Sequence, residues 1–186
     1  MRHKIIETSV QLFESRGFSQ TSIQDIVDQL RVTKGTFYYY FNSKEQLLME
    51  IHSSYIEDLI KRQQQIMQQP MTNQEKLKAI IVLLIYDIKD KGASGRVFFR
   101  EMRHLINENM DIIKQKRKQF RWNIETIVRH GVKSGEFRND LRADMVTFGI
   151  LGLINYSYKW YDPDGEVTAD ELVGLYSKIL LQGILK

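Results

Sequence analysis

Residues 33–41 concentrate side chains that can contact another molecule. A polar segment, Thr-Lys-Gly-Thr, occupies residues 33–36, and an aromatic segment, Phe-Tyr-Tyr-Tyr-Phe, follows it at residues 37–41. Hydroxyl, ammonium and phenol groups can donate hydrogen bonds to phosphate oxygens, and a tyrosine ring adds apolar area that packs on sugars. The chemistry offered by this segment is recognition of a phosphate-rich surface.

The polar half of the segment suits the start of a helix that approaches a nucleic acid. Thr33 is a good N-cap, and the first backbone N–H groups of a helix point toward an anion. Lys34 adds a positive charge there, and Gly35 lets the backbone come close to a duplex. The small hydroxyl and methyl groups of Thr36 suit a base edge or a thymine methyl.

The aromatic half divides between a core and a surface. Phe37 and Phe41 are four residues apart and are expected to be buried together, whereas the tyrosines spread over the other faces. Tyr38 suits a base contact and a place in the core equally well. Lys44 lies in the first turn of the next helix, where a cation opposes the helix dipole, so we expect an anion nearby. The predicted DNA-binding residues are Thr21, Thr33, Lys34, Gly35, Thr36, Tyr38, Tyr39, Tyr40 and Lys44.

Catalytic chemistry finds little support in the sequence. Glu101 and His104 have the Glu-x-x-His spacing of a di-iron ligand pair, but such a site needs a second copy and further carboxylates, and the sequence has no second copy. No phosphate-binding loop or nucleophile elbow occurs, and there are no cysteines. We therefore expect no catalytic residue, no metal ligand and no cofactor.

Composition indicates an all-α globular protein. Of the 186 residues, 42% are hydrophobic and 27% are charged, and the formal net charge is +4. No apolar run reaches the roughly 18 residues that span a bilayer, and the absence of cysteine fits a reducing compartment, so a cytoplasmic location without membrane contact is expected. Apolar residues recur at helical spacing and predict about nine helices, near residues 1–15, 21–30, 33–41, 42–69, 72–91, 96–107, 110–133, 142–161 and 168–185.

Two short helices joined by a tight turn, the second of them polar and aromatic, are typical of a helix-turn-helix. The segment 21–47, TSIQDIVDQLRVTKGTFYYYFNSKEQL, resembles the DNA-binding domain of the TetR family of bacterial repressors, in which T-x-x-x-I-A-x-x-A-G-V-S-K-G-T-L-Y-Y-H-F-x-S-K-E-x-L is typical. The resemblance implies a DNA-binding domain at residues 1–48 and an effector-binding and dimerisation domain at residues 49–186. It also implies a palindromic operator in double-stranded DNA as a partner.

Two of the places at which the chain departs from the typical motif matter for the turn and for DNA recognition. Leu30-Arg31 replaces Ala-Gly in the turn, so Arg31 is expected to adopt a left-handed conformation that glycine takes without strain. Tyr40 replaces a histidine, which puts the base preference in doubt. Residues 1–50 contain six Lys or Arg residues and six Asp or Glu residues, so the domain is net neutral, and two copies are needed for tight DNA binding.

Two apolar helices near the end of the chain predict a homodimer. Gly149 and Gly152 lie inside a helix, where glycine costs roughly 0.5–1 kcal/mol, and a close contact between helices would compensate for that cost. A monomer with two ordinary core helices is the alternative. The predicted interface consists of Gly149, Gly152, Leu153, Leu172, Tyr176, Ile179 and Leu180.

Cations beside aromatic residues predict an effector with an anionic head and an apolar tail. Arg96, Arg100 and Arg103 form one helical stripe, and Lys114, Lys118 and Arg121 form another. An acyl-coenzyme A has this chemistry, although the same stripes fit two solvated faces over a core equally well. The predicted ligand-binding residues are Phe99, Arg100, Met102, Arg103, Ile106, Phe120, Arg121, Trp122, Tyr156 and Trp160.

The segment 155–184 also resembles TetR-type regulators of acyl-CoA catabolism. We therefore expect a ligand-responsive transcriptional regulator, most simply a repressor released from DNA by its effector. Two alternatives stay open at this point. One is a helical protein that binds small molecules without using DNA, and the other is a TetR-type efflux regulator with a hydrophobic ligand.

Overall fold

The computed structural model describes residues 1–185 and is helical, as the sequence predicts. Its described part contains eight α-helices, one fewer than expected, and two short 3₁₀ helices at Met102–His104 and Ser157–Lys159. The α-helices are α1 (Arg2–Arg16), α2 (Ile23–Leu30), α3 (Lys34–Tyr40), α4 (Lys44–Gln68), α5 (Asn73–Arg100), α6 (Asn107–Ser134), α7 (Ala143–Tyr156) and α8 (Ala169–Ile184).

The count differs because α5 passes through the segment Gly92–Gly95, where a break was predicted. Only Lys91 leaves helical geometry, with φ −127° and ψ 26°, and the helix then continues to Arg100. Two glycines lower helix propensity by roughly 1 kcal/mol each, but tertiary packing offsets that cost, since Gly95 and Val97 are buried. The predicted helix at residues 96–107 is thus the end of α5 and a 3₁₀ turn.

The chain forms two compact units. The first contains residues 1–57 and 93–115, and the second contains residues 58–92 and the chain from residue 116 onward. The first of these divisions falls after residue 57, and the functional boundary at residue 48 stays a prediction. The end of α5 and the start of α6 belong with the first three helices, because their side chains bond to that part of the chain.

In the first unit, α1 packs on α2 and α2 packs on α3. Phe37 and Phe41 are fully buried, as predicted, with ring centroids 5.8 Å apart. Ser22 caps α2 through a reciprocal capping box with Asp25. In the second unit, the predicted apolar face of α5 is buried and includes Leu77, Ile81, Leu84 and Ile88.

The turn between α2 and α3 confirms the expected left-handed residue. Arg31 has φ 55° and ψ 46° and is the one non-glycine residue with positive φ among residues 1–185. The N–H of Arg31 donates to Asp28 O (3.1 Å), and the N–H of Val32 donates to Val27 O (2.9 Å). This pair of bonds is the Schellman pattern that ends a helix at a left-handed residue. Thr33 then caps α3, and its Oγ1 accepts from the N–H of Thr36 at 3.3 Å.

Replacing Arg31 with glycine should stabilise the fold. A left-handed conformation costs a residue with a Cβ roughly 1–2 kcal/mol, and part of that gain is lost because glycine is freer in the unfolded chain. We expect Arg31→Gly to raise the free energy of unfolding by about 1 kcal/mol in urea titrations at one protein concentration. Arg31→Ala keeps the Cβ and is the control, so equal stability of the two variants would contradict the strain.

Candidate functional site

The surface of α3 separates buried and exposed aromatic residues. Tyr39 is 82% exposed and Tyr38 is 51% exposed, whereas Tyr40 is half-buried with its ring 4.8 Å from that of Tyr39. Tyr38 is therefore on the surface and not in the core, although its ring edge touches Phe37. The short helix α3 therefore exposes the phenol groups of Tyr38 and Tyr39 to solvent, and Phe37 and Phe41 anchor it in the core.

The polar start of α3 is also exposed. Lys34, Gly35 and the cap residue Thr33 face solvent, and Thr36 is half-buried. The hydroxyl oxygens of Thr33 and Thr36 are 3.2 Å apart. A Cβ added at Gly35 would lie 3.5 Å from Thr33 Oγ1, an ordinary contact. Nothing inside the described chain therefore requires glycine at this position, and close approach to a duplex stays a prediction for Gly35.

Thr21 does not lie where the sequence analysis placed it. Its side chain is fully buried, and its hydroxyl donates to Gly17 O (2.9 Å) and lies 3.3 Å from Leu12 O. A hydroxyl in this position cannot reach a phosphate outside the domain. Thr21 joins α1 to the turn that follows it, and its predicted DNA contact is wrong in this structure.

The Lys44 side chain is half-buried and bonds to the backbone of its own unit. Its Nζ donates to Phe18 O (2.7 Å) and Thr21 O (2.6 Å) and lies 4.3 Å from the centre of the Phe18 ring. Burial lowers the pKa of this ammonium. The carbonyl groups explain why a cation is tolerated at the start of α4. Contact of Lys44 with a phosphate stays a prediction, and it would use the one remaining proton of the ammonium.

The predicted effector residues of the first unit include one that is already occupied. The guanidinium of Arg100 donates to Phe13 O (2.5 Å), Glu14 O (2.6 Å) and the buried carboxylate of Glu101 (2.6 Å). These bonds hold the end of α1, so a primary ligand role for Arg100 is not supported. Arg103 is exposed, and its guanidinium donates to the ring of the neighbouring His104 at 3.3 Å.

The apolar members of that set are at the surface of the first unit. Ile106 is 53% exposed and Phe99 is 37% exposed, while Met102 is half-buried. The backbone N–H of Ile106 donates to the carboxylate of Glu45 at 3.1 Å. These side chains can meet a ligand, but only if the ligand lies against the surface formed by residues 93–115.

In the second unit, the predicted aromatic lining is mostly exposed. Phe120 is buried, but Trp122, Tyr156 and Trp160 are 52%, 61% and 47% exposed. Cations cover some of these rings, since Arg129 lies 5.7 Å from the ring centre of Trp122 and Lys159 lies 5.5 Å from that of Tyr156. Among these aromatic residues, Phe120 alone belongs to the core.

Arg121 is committed to neighbours within the second unit. It lies 3.5 Å from Glu125 and 4.9 Å from the ring centre of Phe148. Of the three cations among the predicted ligand-binding residues, Arg100 and Arg121 are bonded to carboxylates of this chain, whereas Arg103 pairs with no carboxylate among residues 1–185.

Sequence reasoning missed a buried polar group in the second unit. Asp87 is 1% exposed, pairs with Arg62 and accepts from the hydroxyl of Tyr158 at 3.2 Å. Gln63 is fully buried and donates to Phe120 O at 2.9 Å. Asp87 itself was the signal in the sequence, because a carboxylate between the apolar residues Leu84, Ile85 and Ile88 of one helix needs a cation.

The predicted dimer residues divide into two groups. Gly149, Gly152 and Ile179 are exposed, and Leu153 and Leu180 are half-buried. A Cβ at either glycine would meet nothing within 4 Å in this chain. Leu172 and Tyr176 are buried, and the Tyr176 hydroxyl bonds to that of Ser157 at 2.8 Å, so these two belong to the core and not to a free face.

Three further apolar side chains extend the exposed faces of α7 and α8. Met145, Phe148 and Leu175 are 50%, 52% and 54% exposed. They lie four residues before Gly149, Gly152 and Ile179, respectively, a spacing that could have been read from the sequence. An unpartnered apolar face of this kind marks an interaction surface.

The chain matches two family models. Residues 5–51 match the model described as bacterial regulatory proteins, tetR family, and residues 70–184 match the tetracyclin repressor-like C-terminal domain. The transcriptional repressor KstR2 of Mycolicibacterium smegmatis is 29% identical, over 98% of this chain and 90% of that protein.

Solved structures agree with the fold. The ketosteroid transcriptional regulator KstR2 of Mycobacterium tuberculosis superposes with a TM-score of 0.93 at 27% identity, covering 100% of this chain and 95% of that one. The structure of AibR in complex with isovaleryl coenzyme A and operator DNA gives a TM-score of 0.87 at 26% identity, covering 97% of each chain.

Gly35 provides a test of the α3 surface. Gly35→Ala should keep the stability of the fold, because the new methyl group has space, but should weaken binding to duplex DNA by about tenfold, or roughly 1.4 kcal/mol, because it separates the backbone from the duplex. Fluorescence anisotropy with labelled DNA measures the affinity. Ser54→Ala, at an exposed position of α4, is the control, and unchanged affinity of Gly35→Ala would refute close approach.

Proposed function

We propose that this chain, which belongs to the tetR family of bacterial regulatory proteins, represses transcription as a homodimer that a small-molecule effector releases from a palindromic operator. The main support for the proposal is the surface of α3, where polar groups and tyrosines are exposed to solvent while Phe37 and Phe41 are buried beneath them. A DNA-binding regulator acts where the chromosome is, so we place the protein in the cytoplasm.

The α2–turn–α3 segment supports entry of α3 into the major groove. Thr36 and Tyr38 are the side chains offered to base edges, and Thr33, Lys34, Tyr39 and Tyr40 are offered to phosphates and sugars. Two copies of α3 related by a two-fold axis would read half-sites about one helical turn, ~34 Å, apart or somewhat more. Tyr40 presents a phenol where the typical family motif has histidine, so its preferred bases should differ from those of a histidine-bearing relative.

The exposed faces of α7 and α8 support the homodimer. Glycines at 149 and 152 leave room for another helix, and Phe148 on α7 and Leu175 and Ile179 on α8 supply exposed apolar area. A second copy of the same two helices would complete a four-helix interface with two-fold symmetry. The net-neutral DNA-binding segment makes this pairing necessary, because one copy carries little electrostatic affinity.

An acyl-coenzyme A is the effector class that the chain's chemistry favours. It combines anionic phosphates with an apolar acyl chain, and Arg103 and Phe99 offer an exposed cation and an apolar surface in the same unit. AibR, a protein of the same fold, has been solved with isovaleryl coenzyme A and operator DNA. A purely hydrophobic ligand would leave the exposed Arg103 without a role.

Binding, and not catalysis, is the proposed activity. The spacing of Glu101 and His104 raised the possibility of a metal site, but the Glu101 carboxylate is 2% exposed and accepts a hydrogen bond from Arg100, while Nε2 of His104 lies 3.4 Å away. This carboxylate has a structural role at the end of α5. Within residues 1–185 no cluster of three or more potential metal ligands occurs, and no helix is long and apolar enough to cross a membrane.

Calorimetry with a panel of acyl-coenzymes A tests the effector. Isovaleryl coenzyme A and longer acyl chains should include ligands that bind at micromolar level or tighter, about −8 kcal/mol, and the matching free acids should not bind. Arg103→Ala should weaken binding, whereas Lys78→Ala, which removes an exposed cation of the second unit, should not. Arg100 is unsuitable for this test because it holds α1.

The alternatives have distinct outcomes in the same experiments. Equal binding of the free acids would favour a hydrophobic effector. Effector binding without any shift of a DNA fragment from upstream of the protein's own coding sequence would favour a ligand-binding protein that does not use DNA. Release of a bound fragment by the tight-binding acyl-coenzyme A is the outcome that the proposal requires.

A further inference from the structure

The turn of the helix-turn-helix carries a cation in a strained position. Arg31 holds a left-handed backbone, and its side chain is exposed. The typical family motif has glycine here, which takes this conformation without strain. Strained residues persist where the surrounding structure fixes them, and they cluster at functional sites. The side chain of Arg31 is therefore the feature that needs an explanation.

The ion pairs of the N-terminal segment show which cations are available to a partner. Of the six Lys and Arg residues in residues 1–50, Arg2 pairs with Glu50 and Arg16 lies 3.9 Å from Asp25. Lys44 is bonded to backbone carbonyls. Among residues 1–185, no ion pair is made by the other three, which are Lys4, Arg31 and Lys34.

Two of these three cations flank the turn. Arg31 and Lys34 are separated only by Val32 and Thr33, and both are exposed. The surface formed by these two side chains is therefore positive within a segment whose total charge is zero. Duplex DNA carries one negative charge per about 1.7 Å of its axis. A guanidinium can also make two parallel hydrogen bonds to one phosphate, which an ammonium cannot.

We propose that Arg31 is a further DNA-binding residue, which donates to a backbone phosphate of the operator beside the contact offered by Lys34. The inference rests on the proposed function and deepens it, because it names a contact that a glycine at this position cannot make. The chain accepts a less stable turn in exchange for one more phosphate contact in each subunit. Two subunits double that contribution on a palindromic operator.

Two substitutions separate the charge from the backbone strain. Arg31→Gly removes the guanidinium and relieves the strain, whereas Arg31→Ala removes the guanidinium and keeps the strain. Both should lose the phosphate contact to the same extent, although Arg31→Gly is the more stable protein. Arg31→Lys keeps a charge and should retain most of the contact. Lys4→Ala, which removes an unpaired cation from the start of α1, is the matched control.

The salt dependence of DNA binding tests the proposal. Two fluorescein-labelled duplexes of about 30 base pairs, roughly three helical turns, serve as probes. The first has the sequence of the segment that the protein protects upstream of its own coding sequence. The second has a scrambled sequence of the same length. Anisotropy titrations between about 50 and 200 mM salt give the slope of log K against log salt. Losing one contact per subunit should reduce the slope by about 1.8, and affinity should fall by about tenfold or more on both duplexes.

Each outcome separates this proposal from the proposed function. A wild-type protein that binds neither duplex, nor any fragment from that upstream region, refutes both. A wild-type protein that binds while Arg31→Gly and Arg31→Ala keep its slope and affinity refutes the role of Arg31 alone. An equal loss in Lys4→Ala would show that only total charge matters and would also overturn the proposal. Loss in the two Arg31 variants, with retention in Arg31→Lys and Lys4→Ala, supports it.

Discussion

Two cations from distant parts of the chain bond to carbonyl groups at the end of α1 and in the turn after it, where Phe13 O and Phe18 O also accept backbone N–H groups. Arg100 donates to Phe13 O and Glu14 O, and Lys44 donates to Phe18 O and Thr21 O. The last carbonyls of a helix have no partner within the helix and are costly to leave unsatisfied when they are partly buried. These four bonds fix α1 against the start of α4 and the end of α5, and α2 and α3 are built on that frame.

This frame also explains the composition of the first compact unit. Residues 93–115 join residues 1–57 because Arg96 and Arg100 bond to α1, and because Glu45 accepts from Ile106 and Asn109. A segment predicted to bind the effector is therefore part of the structure that positions the DNA-binding surface. An effector that contacts the surface of residues 93–115 would act directly on the unit that carries α3.

Much of the fold could be predicted because its signals are local. The cap at Thr33, the left-handed Arg31 and the burial of Phe37 and Phe41 all follow from residues a few positions apart, and the structure contains each of them. The roles of Arg100, Lys44 and Thr21 could not be predicted in this way. Their acceptors are backbone carbonyls, which every residue has, and for Arg100 and Lys44 those carbonyls lie far away in the sequence. The spacing of cations along the sequence cannot distinguish a cation that bonds to the carbonyls at a helix end from one that is available to bind a phosphate.

Neutrality of the DNA-binding segment makes operator binding depend on pairing. One copy offers few unpaired cations to DNA, so in the proposed homodimer the exposed faces of α7 and α8 would be as necessary for operator binding as α3 itself. This requirement would link the functions of the two compact units, since one would supply the DNA contacts and the other would hold the second copy. It also means that a change far from α3 in the sequence should abolish DNA binding while leaving the helices intact.

Ile179→Asp tests that dependence most directly. Ile179 is 59% exposed, so the substitution should leave the 22.0 kDa subunit folded but place a charge in the proposed interface. Sedimentation equilibrium should find twice the subunit mass for the wild type and the single mass for Ile179→Asp. Operator affinity should fall by about 100-fold, or roughly 2.7 kcal/mol. Gln64→Asp, at an exposed position of α4, should change neither. A wild-type monomer, or a monomeric Ile179→Asp variant that binds the operator with wild-type affinity, would contradict the account.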